Sequence, residues 1–215
     1  MTEDWLDRWN TGRTGWHEVA GNAGLKAHWP RLAPGSRVLV PLCGKSPDML
    51  WLARHGCRVT GVELSEIAVC AFFSENSLPY KTEEQGKLRR YATDELPIEI
   101  FCGDYFAVDA EPFDALYDRG ALVALPEEMR SRYVQHTQGL LKQRASKFIV
   151  TLEYDQTVVS GPPFSVSAAE LVGYFPGLER VEAKDDIENC PPKFRAAGLR
   201  EIREVFWRSA SQESS

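Results

Sequence analysis

Three charged side chains stand where an α/β chain handles nucleosides. Glu63 follows Gly44 by about twenty residues, and Asp118-Arg119-Gly120 closes a later apolar run. An acid at that distance beyond a glycine turn is the usual partner for ribose hydroxyls. A carboxylate suits the task because it accepts two hydrogen bonds from a vicinal diol. It also repels phosphate, which disfavours a phosphorylated ribose. The plainer alternative for Glu63 is a solvated strand-end acid. Arg119 could face a planar carboxylate or a purine, or simply pair with Asp118. Asp104, after Ile98 to Cys102 and Gly103, could reach an adenine amine or only make a turn.

Glycine and acid need elements to hold them. Val38-Leu39-Val40-Pro41 predicts a buried strand, and Pro41 stops it because proline cannot donate to a ladder. Leu42-Cys43-Gly44 turns the chain, with Gly44 free to take a positive φ. Pro47 suits a first helical position, Asp48 puts an acid in the first turn, and Met49, Leu50, Leu52 and Ala53 form an apolar stripe. Strand, tight turn and helix make a cofactor-binding βα unit. A phosphate-binding loop would need glycine where Leu39 stands, and a dinucleotide fold wants G-x-G-x-x-G. A methyltransferase turn needs less glycine, because it holds an amino acid and a ribose rather than a pyrophosphate. An ordinary βα turn stays open on this stretch alone. The following strand, Arg58 to Leu64 with Glu63 at its carboxyl end, shifts the balance towards a nucleoside.

Composition narrows the class. The chain has 215 residues, 43% hydrophobic, with a net charge of −6. That suits one domain, residues 1–215, and disfavours nonspecific nucleic-acid binding. No apolar run approaches the ~20 residues that span a bilayer. The N-terminal MTEDWLDRWN is acidic and amphipathic, unlike a signal or transit peptide. Cys43, Cys57, Cys70, Cys102 and Cys190 are scattered, which predicts reduced thiols in a cytoplasm. His17, His28, His55 and His136 show no metal-ligand spacing, so no metal is expected. No heptad forces assembly, and a monomer is expected.

Thr2 to Asn10 predicts a short helix, with Trp5 and Trp9 on one face, before a loop running to Trp16. These tryptophans either pin residues 1–17 to the core or make an aromatic lid. An aromatic face suits a sulfonium cation or a purine. A helix is expected over Glu18 to Trp29. Ser65 caps one to Asn76, with Ile67, Val69, Phe72 and Phe73 as its apolar residues. Tyr80 to Leu96 is polar and predicts an insertion or long connection. Phe113 to Tyr117 and Lys147 to Tyr154 predict strands, with a helix from Pro126 to about Gln143 between them. Gly161-Pro162-Pro163-Phe164 is a rigid loop, and Ser167 to Glu170 a capping box. Leu178 to Ala183 and Leu199 to Arg208 close the chain, with no clear helix between them, so the last strand is expected antiparallel. Residues 209–215 are expected to fray. The alternation predicts an α/β sheet with covered faces.

VPLCGKSPDMLWLARHGCRVTGVELSEIAV, YDRGALVALP, the GPPF loop and WLDRWNTGRTGWH together resemble the thiopurine S-methyltransferases, over nearly the whole chain and in the form of a bacterial member. The resemblance implies a class I S-adenosylmethionine-dependent methyltransferase fold, Rossmann-like, with seven mostly parallel strands and the last antiparallel. It implies methyl transfer from S-adenosylmethionine, leaving S-adenosylhomocysteine, to an aromatic or heterocyclic thiol. By resemblance Trp9, Leu42, Glu63 and Arg119 hold the cofactor around the Gly44 turn. Asp104 and Tyr105 face adenine, and Trp16 lies near substrate. Phe164 of the GPPF loop is placed there as well. Lys193, or Arg195, stands for the basic side chains of the penultimate loop. Arg119 is the catalytic candidate for steadying an anionic sulfur, and Asp118 either tunes it or is structural. Selenium or tellurium species, with which bacterial relatives are linked, are alternative acceptors. A halide or thiol methyltransferase of the same fold, or a silent cofactor binder, also remains.

Overall fold

The computed structural model describes residues 2–12 and 20–209. In chain order the elements are α1 (Thr2–Asn10), α2 (Ala23–His28), β1 (Arg37–Pro41), α3 (Asp48–Arg54), β2 (Arg58–Glu63), α4 (Glu66–Glu75), β3 (Lys81–Gln85), β4 (Leu88–Ala92) and β5 (Ile98–Cys102). A 3-10 turn, Tyr105–Ala107, leads to β6 (Phe113–Asp118), α5 (Ala121–Ala124), α6 (Glu127–Gly139), β7 (Leu141–Glu153), α7 (Ala168–Tyr174), β8 (Leu178–Asp185), α8 (Pro192–Ala196) and β9 (Arg203–Ser209). The chain forms two compact units, Met1–Asn22 with Leu32–Asp114 and Ala23–Arg31 with Ala115–Ser215.

In the first unit the strands run in the order β3-β4-β5-β2-β1. β1, β2 and β5 are parallel, with Val38 beside Val59 and Val59 beside Ile98. Strands buried on both faces read as continuous apolar runs, and Val38, Leu39 and Val40 are all buried. Asp48, in the first turn of α3, is buried and accepts the Asn22 N–H at 2.7 Å. Ser65 caps α4 by accepting the Ala68 N–H. Ala68, Val69, Phe72 and Phe73 form the buried side of α4, whereas Ile67, expected among its apolar residues, is 50% exposed.

The stretch expected to be an insertion or long connection, Tyr80 to Leu96, carries the hairpin β3–β4, which adds antiparallel to β5. Every residue of β3 is exposed, and only Leu88 and Tyr91 of β4 are buried. Opposite charges across the ladder hold it instead, with Arg89 on Glu84 at 2.6 Å and Arg90 near Glu83. Tyr91 donates to Glu66, which fastens the hairpin to the start of α4. With this hairpin the described residues hold nine strands rather than the seven expected.

In the second unit the order is β6-β7-β9-β8. β9 is antiparallel to both β7 and β8, as expected of the final strand. Its core joins Trp29, Tyr117, Phe148 and Phe206, with ring centroids 6.0–6.3 Å apart. A Cβ on Gly24 would lie 2.1 Å from the Phe206 ring, so only glycine lets α2 approach. The helix expected over Glu18 to Trp29 is confined, in its described part, to α2, because Gly21 at φ +71 breaks it. Residues 13–19, with Trp16, lie outside the described part. α6 stops at Gly139 and β7 starts at Leu141, earlier than expected. A short helix, α8, occupies the last connection.

Candidate active site

Three strand ends in the first unit converge on one acid. Glu63 closes β2 and is 7% exposed. One carboxylate oxygen accepts the Gly44 N–H at 2.8 Å, and the other accepts the Ser65 N–H at 2.8 Å. The Glu63 carbonyl accepts the Gly103 N–H at 2.9 Å, so the ends of β2 and β5 are tied together. Burial pushes the Glu63 pKa up, against the pull of the Ser65 and Gly44 hydrogen bonds.

Gly44 sits at φ +54 and Leu42 at φ +48, a left-handed conformation that a leucine rarely takes. Such strain is kept only where the surroundings impose it, and it clusters at ligand sites. Trp9 is 8% exposed and lies across the turn, since a Cβ on Gly44 would be 3.1 Å from its ring. Asp104 is exposed and accepts the Phe106 N–H at 3.0 Å, and Tyr105 is buried beside it. Trp9, Leu42, Gly44, Glu63, Asp104 and Tyr105 thus gather at the carboxyl ends of β1, β2 and β5.

Cys43, inside the turn, is buried against β2, where a Cβ on Gly61 would come within 2.8 Å of its sulfur and 3.0 Å of the Met49 sulfur. Burial, then the Glu63 charge, raises its pKa well above the usual thiol value. The thiol is a packing group rather than a nucleophile. Gly61→Val is expected to cost about 1–3 kcal/mol by overpacking this contact. Urea unfolding checks it, and wild-type stability would show that Cys43 and Met49 can give way.

The second unit holds the remaining candidates. Asp118 is fully buried and accepts from the Ala121 N–H at 3.0 Å, the Leu122 N–H at 3.3 Å and the Tyr133 hydroxyl at 2.7 Å. Burial raises its pKa despite these donors. The carboxylate, a catalytic candidate by sequence, is enclosed as the cap of α5. Arg119 follows it, half-buried. Phe164 lies on Gly161 and donates its N–H to Val123 O at 2.6 Å. Lys193, exposed on α8, donates to Ser160 O at 3.1 Å and lies over the Phe194 ring. Tyr154, which sequence reading passed over, donates to Pro163 O at 2.7 Å and meets Phe194 edge-on at 5.1 Å.

A groove of about 420 Å³ opens at the other ends of β1, β2 and β5, lined by Arg37, Arg58, Arg90 and Glu99, away from the Gly44 turn. Among the described residues no cluster of histidine, cysteine, aspartate and glutamate could hold a metal ion. None of the described helices is long and apolar enough to cross a membrane.

Comparison with known proteins gives a consistent picture. A family model described as Thiopurine S-methyltransferase matches residues 1–212. A thiopurine S-methyltransferase of Pseudomonas entomophila (strain L48) is 46% identical over 211 residues, covering 95% of this chain and 96% of its own. One from Bordetella petrii is 42% identical over 217 residues, covering 98% of each. Among solved structures, Burkholderia thailandensis 1,6-didemethyltoxoflavin-N1-methyltransferase, with bound S-adenosylhomocysteine, superposes with a TM-score of 0.64 at 19% identity, covering 97% of this chain and 87% of that one. Magnesium protoporphyrin IX methyltransferase from Synechocystis PCC 6803 gives 0.62 at 15% identity, covering 98% and 100%. At such identities the likeness is one of fold, the α/β fold of these methyltransferases.

Proposed function

The chain belongs to the thiopurine S-methyltransferase family, and from that premise we propose that it transfers the methyl group of S-adenosylmethionine to the sulfur of an aromatic or heterocyclic thiol. The observation that carries this reading is the Glu63 carboxylate, held at the strand end by the Gly44 and Ser65 N–H groups. These donors orient both oxygens, and a carboxylate so held can still accept from the two hydroxyls of a ribose. The Trp9 ring lies beside Gly44, and an aromatic ring suits a sulfonium. Leu42 shapes the turn for the amino-acid portion, and Asp104 and Tyr105 stand on the adenine side.

When bound, S-adenosylmethionine supplies an electrophilic methyl group with a neutral thioether leaving group. The acceptor sulfur gains the S–CH3 bond as the donor's S–CH3 bond breaks, and the acceptor's proton leaves to water. The protein's part is position and charge. Arg119 steadies the anionic acceptor. Phe164 is assigned to the acceptor ring, and the resemblance adds Trp16 to the substrate residues. Lys193 adds a positive charge at the outer edge. Asp118 acts through the chain it caps rather than on the substrate.

Calorimetric titration with S-adenosylhomocysteine, followed by turnover assays with 6-mercaptopurine and with selenite, tests the reading. Micromolar binding with thiol methylation is expected. Binding with turnover of selenite alone would move the acceptor to chalcogen oxyanions. Binding without any turnover would indicate a silent binder, and absence of binding would overturn the site itself.

A further inference from the structure

We propose that Arg130 of α6 is a positioning residue that sets the acceptor pocket by holding the Phe164 loop onto α5. Its side chain is 3% exposed. Nε donates to Leu125 O at 3.0 Å, at the carboxyl end of α5. One terminal nitrogen reaches both Glu170 oxygens, at 2.8 and 2.9 Å, and the other reaches Ser165 O at 3.2 Å. The guanidinium carbon is 5.9 Å from the centre of the Phe164 ring. One buried cation therefore binds three separate segments, and only a guanidinium fork has donors for all of them.

Two of the segments it binds adjoin candidate residues of this unit, Arg119 before α5 and Phe164 in the loop. α5 begins two residues after Arg119, and its near end is fixed by Asp118. Its far end is fixed by Arg130. Phe164 hangs on the middle of the same helix through Val123 O. The loop is gripped again just past β7, where Tyr154 donates to Pro163 O and its N–H reaches the Ser165 hydroxyl. Those contacts fix the loop's outer side. Arg130 ties the loop to the far end of α5 alongside the Phe164–Val123 bond, and so helps to set where Phe164 stands relative to Arg119.

The functional part rests on the thiol reading, so wild-type turnover of 6-mercaptopurine is measured first. Arg130→Lys keeps a cation for Glu170 but cannot also reach Leu125 and Ser165. It is expected to raise the KM for 6-mercaptopurine about tenfold, with kcat within about threefold and S-adenosylhomocysteine affinity unchanged. Amide exchange of Phe164, Ser165 and Val166 is expected to quicken about tenfold, with β2 unaffected. A lowered melting temperature with unchanged KM and unchanged loop exchange would overturn the proposal. Should Arg130→Lys not fold, the milder Glu170→Gln decides. It removes the carboxylate charge that orients the guanidinium towards Ser165 and Leu125, so it is expected to loosen both bonds and raise KM about threefold, and an unchanged KM with unchanged loop exchange would count against the claim. Absence of wild-type thiol turnover would sink the thiol reading alone, and the exchange measurement would still decide whether Arg130 holds the loop.

Discussion

Glu63→Ala is expected to weaken S-adenosylhomocysteine binding by about 2–4 kcal/mol, roughly 30- to 1,000-fold, through loss of two hydrogen bonds to a charged acceptor. The change also strips the acceptor from the Gly44 and Ser65 N–H groups. Loss of those two bonds lowers stability, but a second effect opposes it. Burial raises the folded-state pKa of Glu63 above the free value. A raised acid pKa means that the folded state binds the proton more tightly than the unfolded one. The group's contribution to stability is then greatest in acid and falls as pH rises through the folded value. Removing the side chain also removes that burial cost, and circular dichroism checks that the variant is folded before its affinity is read. The ligand hydroxyls favour the ionised form, so wild-type affinity is expected to drop as pH falls through the raised Glu63 pKa, above the 4.5 of a free glutamate. Calorimetry across pH reads both effects. Wild-type affinity in Glu63→Ala, or a flat profile in the wild type, would remove Glu63 from the ribose site.

The parts of the fold that sequence reading found share one physical property. Val38 to Val40 lie in a parallel inner strand, where burial on both faces writes a continuous apolar run, and the parallel Arg58 to Glu63 beside it keeps Val59 and Val62 buried. Pro41, Gly44 and Glu63 then mark the strand ends with residue types that few other settings require. The hairpin β3–β4 escaped because nearly all its side chains face solvent and its ladder is held by Glu–Arg pairs. No hydrophobic period betrays such a strand pair. Ile67 misled for the reverse reason, since the buried side of α4 begins one residue later, at Ala68. Arg130 was invisible among the polar residues of α6, because an arginine buried by partners far along the chain looks like any surface arginine. Asp118 was ambiguous on similar grounds. An Asp-Arg-Gly string shows the charges but not which of them the fold encloses.

That enclosure leads to the largest stability effect expected of a single change. Asp118→Ala takes the acceptor from the Ala121 and Leu122 N–H groups and one acceptor from the Tyr133 hydroxyl, inside a site with no exposure. Losing this buried acceptor is expected to cost about 3–5 kcal/mol, read by urea unfolding. Tyr133→Phe, which removes one donor, is expected to cost about 1 kcal/mol. Asp118→Asn separates structure from catalysis. Its carbonyl oxygen still serves the α5 N–H groups, and the Tyr133 hydroxyl can turn to accept from its amide. A capping role therefore predicts kcat within about threefold of wild type in the asparagine variant, whereas a proton-transfer role predicts a loss of about 100-fold or more. The pH dependence gives an independent check. Burial raises the folded Asp118 pKa, so its stabilising contribution is fullest below the free value of 3.8 and declines as pH rises through the folded value. The stability gap between wild type and Asp118→Asn is thus expected to be widest in acid and to narrow towards neutrality. An asparagine variant of wild-type stability at every pH, with its turnover gone, would make Asp118 a catalytic group after all and leave α5 to be held by Arg130 and the Phe164 loop.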